Sequence, residues 1–318
     1  VAGSCDKFRL LLDEVCKSIP GDSILLSGGL DSSILLYCKK PRKAITIVID
    51  SLSGDYKYSS LIARKFKVSH SIFQPSVSLI YKSIDELIAD YKTFDPIFIR
   101  NMVIQQIGFQ KAIELGFKSV IIGDGADELF GGYNFLQTYY KEPKILESKL
   151  KQLIQNMNFV SGNLARKYNL KAYTPFLHEN VIEFAKALQI KEKLADHNGT
   201  IFGKFFLRRC YEDKLGDAIV WRKKEALETG SGMSNFISAL DKKISDQEYI
   251  NDVKIAKNDM VTIRDKEHLY YYQIYRKYFQ APIHDLANHN SVFRNCPSCH
   301  SPFIWQGSFC KVCGAYPV

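Results

Sequence analysis

No apolar stretch in this chain approaches the ~20 residues needed to cross a bilayer, so no membrane role is expected. No secretory leader is expected either: Phe8-Arg9-Leu10-Leu11-Leu12 is short and runs into Asp13-Glu14. The pattern Gly-x-x-x-x-Gly-Lys-Ser/Thr, the usual loop for γ-phosphate chemistry, occurs nowhere. There is no internal repeat, no low-complexity segment and no block of five or more like charges. The formal net charge of +9 is therefore scattered. It reads first as solvated surface, with a nucleic-acid face as the lesser alternative.

At 318 residues, 46% hydrophobic and 13% aromatic, the chain can build two or three domains with a sizeable core. Of its eight cysteines, Cys5, Cys16, Cys38 and Cys210 stand among apolar neighbours and read as free, buried thiols. The other four crowd the C-terminal end. That distribution suggests a reducing, cytoplasmic setting.

An amphipathic helix is expected over 5–18, then alternating strands and helices: strands at 22–27, 44–50, 68–73 and 118–122, helices at 31–40, 56–66 and 100–116. Short apolar runs separated by helices predict an α/β fold, a doubly wound parallel sheet. Ligands of such sheets sit beyond the carboxyl ends of the strands, where Ser27, Asp50 and Asp124 fall. After about residue 134 strand signals stop. Segments 144–157, 159–168, 179–189, 201–213 and 232–244 read as helices of a second, α-helical region, followed by a polar stretch at 245–265. The tyrosine-rich segment Tyr270–Phe279 imitates a base-stacking platform, but core packing is the stronger reading. The expected domains are 1–150, 151–290 and 291–318.

Two loops carry the chemistry. Ser27-Gly28-Gly29-Leu30-Asp31-Ser32-Ser33 follows one apolar run and precedes another, as a strand, tight turn and helix start. Its backbone N–H groups and hydroxyls offer an anion site at the positive end of a helix, and its glycines allow close approach. Asp31 would repel a phosphate unless a divalent cation lies between them. The loop therefore implies a phosphate chain with Mg²⁺, most simply Mg-ATP. The bland alternative is a capped strand-turn-helix. Gly123-Asp124-Gly125-Ala126-Asp127-Glu128-Leu129-Phe130-Gly131-Gly132-Tyr133 crowds three carboxylates among four glycines. A helix start facing its dipole explains two of the acids but not the glycines. Metal or substrate handling explains both.

Together these loops resemble the asparagine synthetase family, its synthetase domain, within the PP-loop ATP pyrophosphatase superfamily. The second loop is usually written there with Ser-Gly-Glu-Gly before Asp-Glu. Further matches follow in order: Arg100, Pro175-Phe176-Leu177, Gly203-Lys204-Phe205-Phe206-Leu207-Arg208, Trp221-Arg222-Lys223-Lys224-Glu225 and the tyrosine-rich helix. The resemblance implies a sheet of the adenine nucleotide alpha hydrolase type. It also implies adenylylation of a carboxylate by Mg-ATP, pyrophosphate release, and displacement of AMP by ammonia. On that resemblance Ser27, Gly28, Gly29, Asp31, Ser32 and Ser33 would hold pyrophosphate, Asp31 and Asp127 Mg²⁺, and Leu25, Ile49 and Gly123 the adenosine. Lys204 and Lys224 would neutralise phosphates, and Arg100 would grip an anion.

Three departures from the family pattern stand out. Asp124 replaces the catalytic Glu, one methylene shorter, and could still steer or deprotonate an amine. Lys171-Ala172-Tyr173-Thr174-Pro175-Phe176-Leu177-His178 replaces a segment bearing two acids and an Arg, which tells against aspartate as substrate. His178 reads as a surface helix start. With the ATP loop beginning at Ser27, the family's separate glutaminase domain is not expected, and Cys5 is a poor nucleophile candidate. The expected nitrogen source is free ammonia, another amine, or a partner subunit.

Cys296-Pro297-Ser298-Cys299 and Cys310-Lys311-Val312-Cys313 are two Cys-x-x-Cys knuckles. They predict a tetrahedral Cys₄ structural Zn²⁺ site in a small ribbon, with Phe303, Ile304, Trp305 and Phe309 in its hairpin. Cys299-His300 also imitates a haem-attachment motif. Such ribbons dock on nucleic acid, with Arg294 and Lys311 in support, or on a protein surface. The leading reading is an ATP-dependent amide ligase acting on a small-molecule carboxylate. The alternatives are a tRNA-modifying enzyme using the same adenylylation and a silent nucleotide-binding regulator.

Overall fold

The computed structural model describes residues 2–282, 284, 294–297, 299, 300, 302, 303, 310 and 312. Five parallel strands form the central sheet: β1 (Ser23–Leu25), β2 (Lys43–Ile47), β3 (Ser69–Phe73), β4 (Ser119–Ile121) and β5 (Lys171–Tyr173), in the order β3-β2-β1-β4-β5. Strand order reverses between β1 and β4, and both acidic loops leave the sheet there: residues 27–33 after β1, residues 123–133 after β4. A crevice at such a switch point is where open α/β sheets bind ligands.

The pleat sends alternate residues of each strand to opposite faces. Ile24, Ala44 and Ile121 join one core with the helices Ala2–Ser18, Leu30–Lys39 and Phe205–Leu215. Ile45, Ile47 and Val120 join the other, under the helices Val77–Tyr91, Pro96–Glu114 and Lys266–Tyr278. On the first face Phe8 contacts Phe130, Phe184 and Phe206 at centroid distances of 5.1–5.5 Å. This ties the first helix to both the second acidic loop and the helix that follows Lys204.

Several expectations are corrected here. Strand structure does not end near residue 134. β5 pairs with β4 in register Ser119↔Lys171 to Ile121↔Tyr173, so residues assigned to the second region complete the sheet. Part of the segment read as helix 201–213 is β7 (Thr200–Gly203), which pairs antiparallel with β6 (Leu194–His197); the helix begins at Phe205. The polar stretch 245–265 contains a helix, Asp246–Asn258. Segment 232–244 divides into a 3₁₀ turn, Met233–Phe236, and the helix Ile237–Asp241. Cys5 and Cys210 are not free thiols. They form a disulfide joining the first helix to Phe205–Leu215, whereas Cys16 and Cys38 stay as buried thiols. No helix among the described residues is long and apolar enough to cross a membrane.

The tyrosine-rich helix lies in the core, with Tyr271, Tyr272 and Tyr275 buried. Its first turn carries Glu267, wholly buried, which accepts from Arg100 Nε at 2.8 Å, from Arg100 Nη2, and from Tyr271 Oη at 2.9 Å. The forked pair pins Pro96–Glu114 to Lys266–Tyr278. Removing one partner of a buried pair strands the other charge, at a cost of about 3–5 kcal/mol. Glu267→Gln is accordingly expected to lower the unfolding free energy by an amount in that range, seen as a lower urea midpoint with an unchanged slope in equilibrium unfolding followed by circular dichroism.

Candidate functional site

Local geometry brings the first loop to its position. Gly28 adopts φ +71°, and a Cβ there would lie 2.3 Å from the Ser59 nitrogen, so only glycine lets the loop close against Gly54–Lys65. Gly29 caps Leu30–Lys39, placing Asp31 in its first turn. Ser27 Oγ accepts from Gly29 N–H at 3.2 Å and lies 3.1 Å from Ser32 Oγ. Ser33 Oγ and Asp31 Oδ1 are buried without a hydrogen-bond partner among the described residues. Unmet acceptors of this kind ask for a ligand.

The second loop arrives from the other side. Gly125 and Gly131 bracket the short helix Ala126–Phe130, both in the left-handed region. Lys204, itself left-handed at φ +54°, donates its backbone N–H to Phe130 O. Its Nζ lies 2.5 Å from Asp31 Oδ2 and 2.6 Å from Asp127 Oδ1, while Lys224 Nζ lies 3.4 Å from Asp127 Oδ2. A Cβ on Gly132 would fall 1.9 Å from Asp127 Oδ1, and one on Gly203 2.1 Å from Gly131 O. The bridge therefore requires glycine at both places. Burial raises Asp31 above the ordinary carboxylate range against the pull of Lys204, and Asp127 adds to the rise. Burial pushes Asp127 the same way, but Lys204 and Lys224 outweigh it and hold Asp127 below that range. Burial would strip Lys204 of its proton; Asp127 and Asp31 overcome this and raise it.

Between the loops opens a cavity of about 210 Å³. Of the residues singled out in the sequence, Leu25, Ser27, Gly29, Asp31, Ser32, Gly123, Asp124, Asp127, Lys204 and Lys224 line it. Gly28, Ser33, Ile49 and Arg100 are not among its lining residues. Ile49 lies two positions beyond β2, with its N–H on Ser231 O and its carbonyl on Gln74. Arg100 does not reach the cavity to grip an anion, because its guanidinium is forked on Glu267. Asp124 accepts from Ser161 Oγ at 2.5 Å, and burial holds its carboxyl above the usual range. His178 is exposed and caps Glu179–Ala187 through Nδ1. An unpartnered carboxylate oxygen beside a second carboxylate is the hard-oxygen donor set that Mg²⁺ takes, so Asp31 and Asp127 fit that ion.

Sequence reasoning missed the roof. Arg208 donates to the carbonyls of Gly203 (2.8 Å), Val220 and Arg222 (3.1 Å), folding Arg222–Leu227 over the cavity. Arg222 stacks 4.0 Å from the Tyr58 ring centroid and pairs with Glu225. Both arginines stand inside quoted motifs, and that proximity to Lys204 and Lys224 was the available signal. Asp55 also lines the cavity, 3.9 Å from Arg222, and no motif marked it.

Near the C-terminus, Cys296, Cys299 and Cys310 are buried, with sulfurs all within 4.8 Å of one another. Cys299 Sγ lies 3.7 Å from Cys310 Sγ, near the about 3.8 Å edge of a tetrahedral Zn–S site with ~2.3 Å bonds. Val312 N–H donates to Cys310 Sγ and His300 N–H to Cys296 O, the turn of a knuckle. Thr262 Oγ1 donates to Cys299 O at 2.7 Å, so this module rests on its own chain. Cys313, Ile304, Trp305, Phe309 and Lys311 lie outside the described residues.

Burial pushes the Asp55 carboxyl up to about 8, against the pull of Arg222. An unfolded Asp titrates near ~3.9, so between those values the folded protein binds the extra proton. Stability from this group is therefore greatest below about pH 4. It falls by up to about 1.4 kcal/mol per pH unit as pH rises to about 8, and then levels. Urea unfolding at pH 5 and pH 8.5 is expected to show Asp55→Asn gaining stability relative to the native protein at the higher pH.

The Asparagine synthase family model matches residues 23–152 and 137–294. Asparagine synthetase [glutamine-hydrolyzing] 1 of Lotus japonicus is 28% identical over 282 residues, 80% of this chain and 47% of that protein. Asparagine synthetase B of Escherichia coli is 26% identical over 281 residues, 81% of this chain and 50% of that protein. The chain thus spans about half the length of the curated relatives it matches. Among solved structures, an NH3-dependent NAD synthetase from Campylobacter jejuni aligns over 71% of this chain and 98% of its own at 15% identity, TM-score 0.30. With the family model covering most of the sequence, the chain belongs to the asparagine synthase family.

Proposed function

We propose that this chain is the synthetase part of an ATP-dependent ligase that adenylylates a small-molecule carboxylate and passes it to ammonia or another amine. The observation that carries the reading is the Lys204 bridge: it draws Asp31 and Asp127 together on the lining of a cavity that also has apolar side chains such as Leu25, Ile47 and Ile122. Family membership supports ATP as the nucleotide.

In this reading the backbone N–H groups and hydroxyls of residues 27–33 receive the phosphates at the start of Leu30–Lys39. Leu25 and Gly123 flank the adenosine. Asp31 and Asp127 would hold Mg²⁺, which when bound withdraws electron density from phosphate oxygens. A substrate carboxylate oxygen attacks the α-phosphorus, and the bond to the bridging oxygen breaks, leaving pyrophosphate. Lys204 and Lys224 lie where that departing charge grows and stabilise it. The amine nitrogen then adds to the acyl carbon, AMP leaves with the electron pair of the C–O bond, and a proton passes to the Asp124 carboxylate. Asp124 is suited to accept it because burial strengthens its carboxylate's hold on a proton. Ser161 orients it.

The cysteine cluster is read as a structural Zn²⁺ site, with Cys313 proposed as fourth ligand. Soft thiolates without an open position hold a module together rather than activate water.

A pyrophosphate-release assay with Mg²⁺, ATP, ammonia and a panel of amino acids and small carboxylates tests the catalytic reading. Asp31→Asn and Asp127→Asn are expected to lower release at least about 100-fold, of the order lost when one such electrostatic contact goes, while circular dichroism stays native. Full activity in both would overturn the metal and phosphate assignment. For the thiolate site, metal analysis is expected to find one zinc per chain, and Cys299→Ser to lose it.

A further inference from the structure

A second cavity, of about 590 Å³, lies between the helix Pro143–Gln155 and the turn leading into β6. Its lining combines an apolar wall, Leu150, Ile154, Leu188 and Ile190, with Lys193. Lys193 is 96% buried, at 4% exposure. Lysine is almost never fully buried unless paired, yet among the described residues Lys193 has no ion-pair or hydrogen-bond partner. The nearest acid in sequence, Glu192, accepts from the Gln189 N–H at 2.8 Å and offsets only part of the cost of burying Lys193. The remaining charges of the cavity are matched already: Glu147 holds Lys151 at 2.8 Å, and Lys186 holds Glu183 at 2.9 Å.

A lysine this buried, without a counter-ion and on the lining of a cavity with an apolar wall, is complementary to one negative charge on an apolar body. From this juxtaposition we propose that the cavity is a binding site for a small monocarboxylate with a hydrocarbon body, its carboxylate on Lys193 Nζ and its chain on the wall of Leu150, Ile154, Leu188 and Ile190. A phosphate fits less well. It wants several converging donors, and here Glu147 would face its second charge. Burial lowers Lys193 to about 8, so near pH 7 the ammonium form prevails. The site is separate from the nucleotide cavity: none of its lining residues is shared with it. It is nevertheless joined to it through the chain, since Leu194 pairs with Gly203, the neighbour of Lys204.

The test is calorimetric titration of the full chain with hexanoate and with its neutral counterpart hexanamide, at pH 7, in the native protein and in Lys193→Met. Hexanoate is expected to bind one site, hexanamide at least 10-fold more weakly, and Lys193→Met to lose the difference between them. The hexanamide arm needs no mutation and stands even if the variant is unstable. Equal binding of the two compounds, unchanged hexanoate binding in Lys193→Met, or no hexanoate binding at millimolar concentration would each overturn the proposal. None of these readouts depends on turnover, so they are independent of the ligase reading.

Discussion

Two carboxylates drawn out of water beside one another repel strongly, and the repulsion grows as the local dielectric falls. Here one ammonium group, that of Lys204, lies within 2.6 Å of both Asp31 and Asp127. Several features around the cavity let this bridge close. Glycines at 132 and 203 clear the path, Lys204 takes a left-handed backbone that few side chains tolerate, and its N–H is tied to Phe130 O. Loops separated by nearly a hundred residues are thereby held by electrostatics rather than by packing alone. The same bridge leaves Asp31 Oδ1 without a hydrogen-bond partner among the described residues, so the assembled site retains an unmet acceptor.

The roof follows a similar principle. Arg208 is buried, which lowers it to about 10, and it bonds to three backbone carbonyls rather than to any carboxylate. A guanidinium used in this way fixes the course of the chain from Val220 to Arg222 and brings Lys224 to Asp127. Lys224 therefore owes its place to an arginine sixteen positions earlier. The disulfide between Cys5 and Cys210 secures the far side of the same helix.

Much of this was legible before any coordinates. Glycine-rich turns carrying Asp31 and Asp127 announce themselves, because such residue types have few other reasons to be neighbours. The apolar runs of β1 to β4 are equally plain. What was hidden depends on tertiary contacts. β5 is only three residues, Lys171-Ala172-Tyr173, too short for any alternation to show, and it becomes a strand because β4 offers an open edge. Arg100 looked like an anion clamp by its position, but Glu267, far along the chain, claims its guanidinium. Asp55 sits in an ordinary first helical turn and becomes a buried acid only because Tyr58, Arg222 and Gly230 converge there. Cys5 and Cys210 gave no sequence hint of each other.

The placement of β5 bears on how the protein is made. The loop at 27–33 is synthesised long before the sheet edge it needs, at residue 171, and its cation, at residue 204. Until those residues are added, the growing polypeptide carries an unfinished parallel sheet with two exposed carboxylate turns. Parallel pairings of such long range form slowly and leave open edges prone to association. The early helix Ala2–Ser18, which lies across the first face of that sheet, supplies a cover for the nascent core while its later partners are still being added.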